Sequence, residues 1–234
     1  MKNILLVDKP IGWTSFDVVA KIRGAIKASY VQAGIKPTKR QLKVGHAGKL
    51  DPFASGLLII LIGDACKQAG DFLKLDKSYE FTAELGKTSS TGDTEGDLTV
   101  VSKIAPTLEQ IESVSRQFLG IISQVPPAYS AIKVGGQRAY RLAREGKTVI
   151  IPAREVTVRN LTVITYNYPL LSMVCSVSSG TYIRTLVEDI GNKLNIGAYC
   201  KTLRRVTIAD YSVVDALKVE EAVEYVRSAA THHI

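Results

Sequence analysis

The segment GHAGKLDPFASGLLIILIG, residues 45–63, joins a polar stretch with several glycines to a short apolar run. The apolar run covers residues 57–62, and Gly63 follows it directly. A run of this length that ends at a glycine is typical of a buried strand. The segment therefore predicts a strand of the core, preceded by a polar stretch that contains Asp51.

Asp51 has two interpretations on local grounds. An aspartate followed by a proline is typical of a turn or of a helix N-terminus, because Pro52 has a fixed φ that suits the first helical turn. A catalytic role is also compatible with the surroundings, since glycines allow close backbone approach and lysines favour an ionised carboxylate. These neighbours are Gly45, Gly48, Gly56, Lys43 and Lys49. An ionised, positioned carboxylate can act as a covalent nucleophile, so both interpretations stay open.

Composition predicts an ordinary globular protein of a reducing, cytoplasmic compartment. The chain has 234 residues, of which 46% are hydrophobic and 22% are charged, and this length suffices for one well-buried domain. The apolar runs at residues 4–7 and 57–62 are too short for a signal-peptide core or a membrane span. Cys66, Cys175 and Cys200 are widely spaced and form no CxxC pair, which argues against structural zinc.

The charge distribution indicates a polyanionic partner. Thirty basic residues outnumber 22 acidic ones, so the formal net charge is +8. Residues 21–49 contain eight Lys or Arg residues and no Asp or Glu. A second basic stretch contains Lys133, Arg138, Arg141, Arg144, Lys147, Arg154 and Arg159. Two such stretches flanking one motif predict contacts to nucleic-acid phosphates, although either alone could be a solvated face that binds nothing.

Hydrophobic periodicity predicts strands and helices in mixed order. We predict strands near residues 3–7, 57–62, 79–85, 156–163 and 174–178. Predicted helices start at Thr14 or Ser15, with the apolar stripe Phe16, Val19, Ile22 and Ile26, at a capping box of Thr107 and Gln110, and near residues 183 and 219. Because no regular βαβ rhythm appears, we expect an α/β or α+β domain around a mixed sheet rather than a doubly wound one.

Four motifs follow one another along the chain. They are LLVDKPIGWTSFDVV at residues 5–19, GHAGKLDPFASGLL at 45–58, KSYEFTAELGKTSSTGD at 77–93 and GTYIRTL at 180–186. In this order they resemble the motifs of TruB-type tRNA pseudouridine synthases, over nearly the whole chain. The resemblance implies the pseudouridine synthase fold, whose central, mixed, largely antiparallel sheet is flanked by helices and loops and carries an RNA-clamping insertion. It also implies isomerisation of a T-loop uridine, at tRNA position 55, to pseudouridine by base flipping, with no metal and no cofactor.

The resemblance further implies roles for individual residues. Asp51 matches the catalytic aspartate, Tyr79 the tyrosine that stacks on the flipped uracil and could remove its C5 proton, and Arg184 the arginine that pairs with the aspartate. The expected substrate-binding residues are His46, Lys67, Asp93, Tyr182 and Leu203, with Lys67 on a phosphate and Leu203 as an apolar wall. From residue type alone, Tyr79 and Tyr182 could instead be packing aromatics and Arg184 a surface arginine.

A single catalytic domain over residues 1–234 is the simplest organisation, because no linker, repeat or low-complexity tract divides the chain. By the resemblance, about residues 126–158 match a thumb-like segment that clamps the RNA stem. The small C-terminal RNA-binding domain of many bacterial members is expected to be absent. The cations Lys201, Arg204 and Arg205 could compensate for it in part.

The expected partner is tRNA, bound through its T arm. We expect no membrane association, no obligatory protein partner and a monomer in the cytoplasm. Lys49 departs from the family pattern, which usually has a small residue or Thr at this place. His232 and His233 receive no role.

Other functions remain open at this level. A pseudouridine synthase of another family would act on ribosomal RNA, and a guide-RNA-dependent relative would act within a complex. A tRNA-binding folding helper without catalysis would not need Asp51, Tyr79 and Arg184 intact. A glycosidase would use paired carboxylates, and the sequence has no second acid near Asp51.

Overall fold

The computed structural model describes residues 3–130, 132–134, 136–145 and 150–231, so Lys147, His232 and His233 lie outside the described residues. The strands are β1 Ile4–Lys9, β2 Val44–Ala47, β3 Ser55–Ile62, β4 Lys77–Leu85, β5 Lys87–Ser89, β6 Leu98–Val100, β7 Gly120–Gln124, β8 Lys133–Val134, β9 Gln137–Arg138, β10 Arg154–Asn167, β11 Leu170–Val177, β12 Ala198–Ile208, β13 Tyr211–Ser212 and β14 Leu217–Lys218. The helices are α1 Ser15–Gln32, α2 Ala69–Lys74, α3 Leu108–Arg116, α4 Ala139–Arg144, α5 Ile183–Lys193 and α6 Val219–Thr231, with 3₁₀ turns at Gly63–Gln68 and Val213–Asp215.

The chain forms two compact units. The first unit comprises Met1–Ser78 with Arg204–Ile234, and the second comprises Tyr79–Leu203. The boundaries fall inside β4 and β12, so each of these strands contributes residues to both units. Whether the chain behaves as one folding domain, as the sequence predicts, stays a prediction.

The sheet of the first unit is built around β3. Its strand order is β14-β1-β3-β12, while β2 pairs with β3 and β13 pairs with β12. Strands β1 and β2 run antiparallel to β3, whereas β12 runs parallel to it through Arg204 opposite Ser55 and Arg205 opposite Gly56. Because β2 ends at Ala47 and β3 starts at Ser55, the connecting residues 48–54 form a loop at one end of this sheet.

Strand β3 is buried on both faces, which explains its continuous apolar sequence. Leu58, Ile60 and Ile62 belong to a cluster that includes buried residues of α1 and α6. Leu57, Ile59 and Leu61 belong to a second cluster with Phe72 of α2. Since successive side chains of a strand point to opposite faces, the strand joins two apolar layers and holds the loop before it in place.

Helix α1 begins where the sequence predicts. Thr14 is the N-cap, and its hydroxyl accepts the Asp17 N–H while the Asp17 carboxylate accepts the Thr14 N–H, a capping box. The predicted apolar stripe is correct for Val19, Ile22 and Ile26 and wrong for Phe16, which is 60% exposed. The Arg23 guanidinium lies 5.7 Å from the centroid of the Phe16 ring, so the aromatic face is covered by a cation instead of the core.

Within the second unit the strand order is β12-β4-β11-β10-β7. Strand β10 is antiparallel to both β11 and β7. Strands β5 and β6 form one further antiparallel pair, and β8 and β9 form another. Helix α3 starts at Thr107 with the predicted capping box to Gln110, and α5 starts directly after Tyr182.

The mixed α/β fold class is confirmed, and most of the described strand pairs are antiparallel. Strands β2, β7 and β12 are not predicted from the sequence, because they lack a clear alternating pattern or a continuous apolar run. In the described part of the chain, no helix has the length and the apolar character needed to span a membrane.

Candidate active site

Asp51 lies in the loop of residues 48–54 of the first unit. Its side chain is 26% exposed. The Ala54 N–H donates to the Asp51 carbonyl at 3.1 Å and closes a turn. Asp51 therefore lies in the turn that the Asp-Pro pair predicts. Its carboxylate is at the same time partly accessible.

The connection between β1 and α1 holds both flanks of Asp51. The buried Ser15 hydroxyl accepts the Leu50 N–H at 2.8 Å and donates to the Leu50 carbonyl at 3.2 Å. The Gly12 N–H donates to the Pro52 carbonyl at 2.8 Å. The backbone is thus fixed on each side of the carboxylate, which restricts the directions in which its side chain can point.

Three cations belong to the surroundings of Asp51 in the first unit. Lys49 Nζ lies 3.4 Å from Asp51 Oδ1, so this lysine contacts the candidate nucleophile. Lys9 is fully buried, and its ammonium donates to the Pro10 carbonyl at 2.9 Å and to the Trp13 carbonyl at 2.6 Å. Burial lowers the pKa of Lys9 to about 8, although the Asp51 carboxylate opposes this shift and the Arg205 charge adds to it.

Arg205 is 1% exposed and is the third cation of this group. Its Nε donates to the Leu57 carbonyl at 2.7 Å, and its Nη2 donates to the Gly48 carbonyl at 3.0 Å. The expectation that Arg205 helps to bind phosphate is therefore wrong, because a buried guanidinium bound to backbone carbonyls is not accessible to RNA.

The two neighbouring cations of that predicted cluster make ion pairs. Arg204 donates to both carboxylate oxygens of Asp8, at 3.0 and 2.7 Å. Lys201 Nζ lies 2.6 Å from Glu84 Oε2. Arg154 and Arg23, from the two predicted basic stretches, donate to the carbonyls of Gly180 and Val44. Some of the basic side chains thus bind carbonyls and carboxylates of the protein itself.

His46 lies on β2 opposite Ile60 of β3. Its Nδ1 is buried and has no hydrogen-bond partner among the described residues. Burial lowers the pKa of the imidazole, and the charges of Arg205 and Lys49 lower it further. A neutral, partly exposed ring is suited to contact with a nucleobase.

Lys67 lies on the 3₁₀ turn Gly63–Gln68 with its side chain 74% exposed. Its Nζ is 3.5 Å from Asp64 Oδ1, and Arg40 forms an ion pair with the same carboxylate. Two exposed cations around one carboxylate leave a net positive charge, as contact with a phosphate requires.

Arg184 and Asp93 form a buried ion pair in the second unit. Arg184 is 4% exposed and Asp93 is 2% exposed, and Arg184 Nη1 donates to Asp93 Oδ2 at 3.0 Å. The guanidinium also donates to the carbonyls of Thr91 at 2.8 Å and Tyr129 at 2.9 Å. The surface-arginine alternative is therefore wrong, and the expected pairing of Arg184 with Asp51 stays a prediction.

Glu188 lies one helical turn after Arg184 on α5, and the sequence alone assigns it no role. Burial raises the pKa of its carboxyl to about 7, while Arg184 opposes the shift and the charges of Asp189 and Asp93 add to it. A Cβ at Gly92 would lie 2.9 Å from Glu188 Oε1, so the carboxyl packs against the backbone that leads into Asp93.

The backbone of Tyr182 is held by Gln124, which is 1% exposed. The Gln124 amide oxygen accepts the Tyr182 N–H at 2.8 Å, and the amide nitrogen donates to the Tyr182 carbonyl at 3.0 Å. The Arg154 guanidinium lies 5.0 Å from the centroid of the Tyr182 ring. Arg154 therefore lies over the ring of Tyr182, the residue directly before α5. The sequence instead places Arg154 among the phosphate-binding candidates.

Tyr79 and Leu203 lie on strands, Tyr79 on β4 and Leu203 on β12. Tyr79 is 7% exposed and Leu203 is 9% exposed. Burial of this degree is compatible both with a residue that lines a pocket and with a residue that packs in the core. For Tyr79, stacking on the uracil and packing in the core therefore both stay open.

Several residues that organise these surroundings have contacts that the sequence does not indicate. Lys9 and Ser15 belong to the first quoted motif, but no pattern there indicates what they bind. Arg205 is expected only to contact phosphate, because its acceptors, the carbonyls of Gly48, Lys49 and Leu57, lie far away in the sequence. Gln124 and Glu188 lie outside the four motifs and outside both basic stretches. Within the described part of the chain, no three His, Cys, Asp or Glu side chains are grouped as a metal site would require.

Comparison with protein families finds one match over more than half of the chain. The model described as "TruB family pseudouridylate synthase (N terminal domain)" matches residues 36–183. Among curated proteins, "tRNA pseudouridine synthase B" of Pseudomonas fluorescens is 39% identical over 221 residues, which cover 94% of this chain and 68% of that protein. The protein of the same name from Thermobifida fusca is 40% identical over 229 residues, covering 94% of this chain and 73% of that protein.

Solved structures with a similar fold extend beyond this chain. A chain of the structure titled "Crystal Structure of a Cbf5-Nop10-Gar1 Complex" superposes with a TM-score of 0.71 at 25% identity, over 99% of this chain and 56% of that chain. A chain of "Structure of H/ACA RNP bound to a substrate RNA containing 2'-deoxyuridine" superposes with a TM-score of 0.67 at 23% identity. The chain thus spans little more than half the length of these solved chains.

Proposed function

The chain belongs to the TruB family of pseudouridylate synthases, and on this premise we propose that it isomerises one uridine in the T loop of tRNA to pseudouridine. The product has the same atoms as the substrate, since an N-glycosidic bond is exchanged for a C-glycosidic bond. The curated relatives at about 39% identity carry the name tRNA pseudouridine synthase B. Their higher identity, compared with 25% for the Cbf5 chain, favours tRNA over a guide-RNA-dependent substrate.

The observation that carries this proposal is the presentation of Asp51. Its carboxylate is about one quarter exposed, its loop is bonded to the protein on both flanks, and Lys49 contacts it. A carboxylate held in a fixed position can act as a covalent nucleophile. A rigid loop also keeps the nucleophile in one geometry, which lowers the entropic cost of reaching the transition state.

Asp51 is the proposed nucleophile, and attack on the sugar and attack on the base are both compatible with its role. In either case the bond between uracil N1 and ribose C1′ breaks, the uracil turns, and a bond forms between C5 and C1′. The C5 proton leaves, N1 takes up a proton, and the Asp51 carboxylate is released unchanged. No electron acceptor or cofactor is required by this balance.

Tyr79 and Arg184 are the proposed partners of Asp51. We assign to Tyr79 stacking on the flipped uracil and removal of the C5 proton, and to Arg184 pairing with the Asp51 carboxylate. The buried ion pair with Asp93 and two backbone carbonyls supports the role of Arg184, because the guanidinium has a fixed position in its unit. Asp93 accordingly positions Arg184 in this proposal.

The remaining candidates bind the substrate. A neutral His46 contacts the bases of the T loop, Tyr182 and Leu203 line the uracil pocket, and Lys67 contacts a phosphate. The uridine is flipped out of the loop because its reacting atoms are inaccessible while the base is stacked. Exclusion of water from the pocket keeps the detached base and the sugar from being trapped by hydrolysis.

The same proposal includes the partner and the place of action. The enzyme binds the T arm of tRNA, acts as a monomer without a protein partner, and works in the cytoplasm, where its substrate is found. Basic side chains that are exposed in the first unit, such as Lys36, Lys39 and Lys43, support an RNA-binding surface.

The proposal is tested with unmodified tRNA transcript and no added cofactor. Pseudouridine is mapped by its chemical adducts for the wild type, for Asp51→Asn and for Asp71→Asn, which changes an exposed aspartate on α2. We expect one modified T-loop uridine with the wild type and with Asp71→Asn. With Asp51→Asn we expect no product, while tRNA binding persists.

Each alternative predicts a different result. Tight tRNA binding by the wild type without any pseudouridine would favour a folding helper. Product in ribosomal RNA alone would contradict the tRNA assignment, and product with Asp51→Asn at the wild-type rate would remove Asp51 from the chemistry.

A further inference from the structure

The Arg205 guanidinium connects the two ends of the Asp51 loop. It donates to the carbonyls of Gly48 at 3.0 Å and Lys49 at 3.5 Å, which precede Asp51, and to that of Leu57 at 2.7 Å, which follows it. A guanidinium is planar and rigid, so donors fixed on one group set the distance between their acceptors. One buried side chain thus links the start of the loop to strand β3, which follows it.

Two glycines leave the space that this arginine occupies. Gly48 has a φ of +94°, and a Cβ there would lie 3.4 Å from Arg205 Nη1. Gly56 has a φ of +105°, and a Cβ there would lie 2.3 Å from the Arg205 carbonyl oxygen. At Gly56 a Cβ would clash with the Arg205 backbone, whereas at Gly48 it is the positive φ of the backbone next to the guanidinium that favours glycine.

Stability alone does not explain an arginine at this position. Among the described residues no carboxylate lies within ion-pair distance of Arg205, and its acceptors are backbone carbonyls. A buried cation without a carboxylate loses its hydration and regains only part of that free energy from neutral acceptors. The charge of Arg205 also contributes to the lowered pKa of Lys9 and of His46.

The other contacts of the loop lie nearer its middle. Ser15 and Gly12 bind the backbone of Leu50 and Pro52, the residues directly before and after Asp51. These bonds fix the tip. At the base, the pairing of β2 with β3 ends at Ala47 opposite Ile59, and Arg205 adds bonds to Gly48 and Lys49, beyond the last pair. A loop that is held at its tip can still tilt if its base widens, and the tilt would move the carboxylate.

We propose that Arg205 is a positioning residue, which aims the Asp51 carboxylate at the substrate by holding the two ends of its loop together. The inference rests on the proposed function, because it concerns the nucleophile of that reaction. Arg205 does not touch RNA in this role. Its loss should therefore slow the chemical step and leave tRNA affinity nearly unchanged.

The test compares Arg205→Lys and Arg205→Gln with the wild type in single-turnover conversion of tRNA by excess enzyme. Lysine keeps the charge but cannot bind three carbonyls in one plane, and glutamine loses the charge. We expect the rate at saturating enzyme to fall about 10- to 100-fold for Arg205→Lys and further for Arg205→Gln, as misplacement of a reacting group does. The Kd for tRNA, from filter binding, should stay within about threefold of the wild type.

The control is Arg116→Lys, which makes the same exchange at an exposed arginine on α3 of the second unit. It should leave both the rate and the Kd unchanged. Circular dichroism and the melting temperature give the folded fraction to which each rate is referred. If both Arg205 variants are unfolded, Gly48→Ala disturbs the same contact with Arg205 intact, and a wild-type rate for folded Gly48→Ala would overturn the inference.

Two other outcomes would also overturn it. Folded Arg205→Lys with the wild-type rate would show that the loop does not need this guanidinium. A rate loss that disappears at saturating enzyme, with a matching rise in Kd, would make Arg205 a contributor to binding. A wild-type enzyme that forms no pseudouridine would instead contradict the proposed function itself.

Discussion

At the residue scale, buried charged groups in this protein differ in how their charge is balanced. Glu84 is 5% exposed and accepts hydrogen bonds from Lys201, Lys87 and Tyr199 at 2.6, 2.7 and 2.8 Å. Burial raises its pKa, but these three bonds outweigh burial and lower the pKa to about 2. Glu188, in contrast, has no such set of donors among the residues that the structure describes, and burial raises its pKa to about 7.

Glu188 predicts a pH-dependent stability. Its folded pKa of about 7 exceeds the ordinary value of 4.5, so the folded chain retains a proton that the unfolded chain releases between these two values. The unfolding free energy therefore falls as pH rises from about 4.5 to about 7 and changes no further above it. Glu188→Gln removes this loss. We therefore compare the unfolding free energy of Glu188→Gln with that of the wild type. Allowing for solvent screening, we expect this difference to favour the variant by about 1 to 2 kcal/mol more at pH 8 than at pH 4.5.

Urea unfolding of the wild type and Glu188→Gln at several pH values measures this difference. Glu112→Gln, at an exposed position of α3, serves as the control and should show no comparable pH dependence. A constant difference between Glu188→Gln and the wild type from pH 4.5 to pH 8 would contradict the shifted ionisation.

At the element scale, the local sequence determines where the helices start. The capping boxes of Thr14 with Asp17 and of Thr107 with Gln110 each satisfy backbone N–H groups that have no partner within the helix. Such signals act over three residues, which is why they can be recognised without knowing the fold. The apolar stripe is less reliable, as the exposure of Phe16 shows.

Thr107→Ala should destabilise the protein by about 1 kcal/mol, because the Gln110 N–H loses its acceptor. The midpoint of urea unfolding measures this loss, and pseudouridine formation should be unchanged since α3 carries no proposed site residue. Ser113→Ala, at an exposed position inside the same helix, should instead be neutral or stabilising by up to about 0.5 kcal/mol. Equal effects of the two variants would contradict the cap as the cause.

At the scale of the whole molecule, the basic residues behind the net charge of +8 have two roles. Some bind other groups of the protein, and others are exposed on its surface. Arg205, Arg23 and Arg154 bind backbone carbonyls inside their units. Exposed cations of the first basic stretch, including Lys36 and Lys39, remain accessible to a polyanion. Net charge therefore predicts the kind of partner but overstates how many side chains reach it.

Affinity for tRNA should fall at least about tenfold between 50 and 200 mM salt, because binding to phosphates releases counterions. Replacing both Lys36 and Lys39 by Glu should weaken binding and reduce the slope of log Kd against log salt by about 1 to 2. Lys103→Glu, an exposed position outside both basic stretches, should leave the slope unchanged. Fluorescence anisotropy with labelled tRNA gives the slopes, and a flat wild-type response would exclude the proposed phosphate contacts.

Features that depend on neighbouring residues and on motif order can be predicted without a structure. The continuous apolar run of β3, the capped starts of α1 and α3 and the four ordered motifs are readable without a structure, and the family they indicate is confirmed. Periodicity and capping act within a few residues, so a linear pattern contains them.

Which charged residues are buried, and what they bind, depends on how distant segments pack together. Strands β2 and β12 are strands because they pair with β3, and that pairing brings Arg205 to Gly48, 157 residues away in the sequence. An arginine among other basic residues has the same sequence pattern whether it binds phosphate or the backbone of a loop. Its burial, and with it the inferred positioning of Asp51, depends on contacts between distant segments that no local pattern encodes.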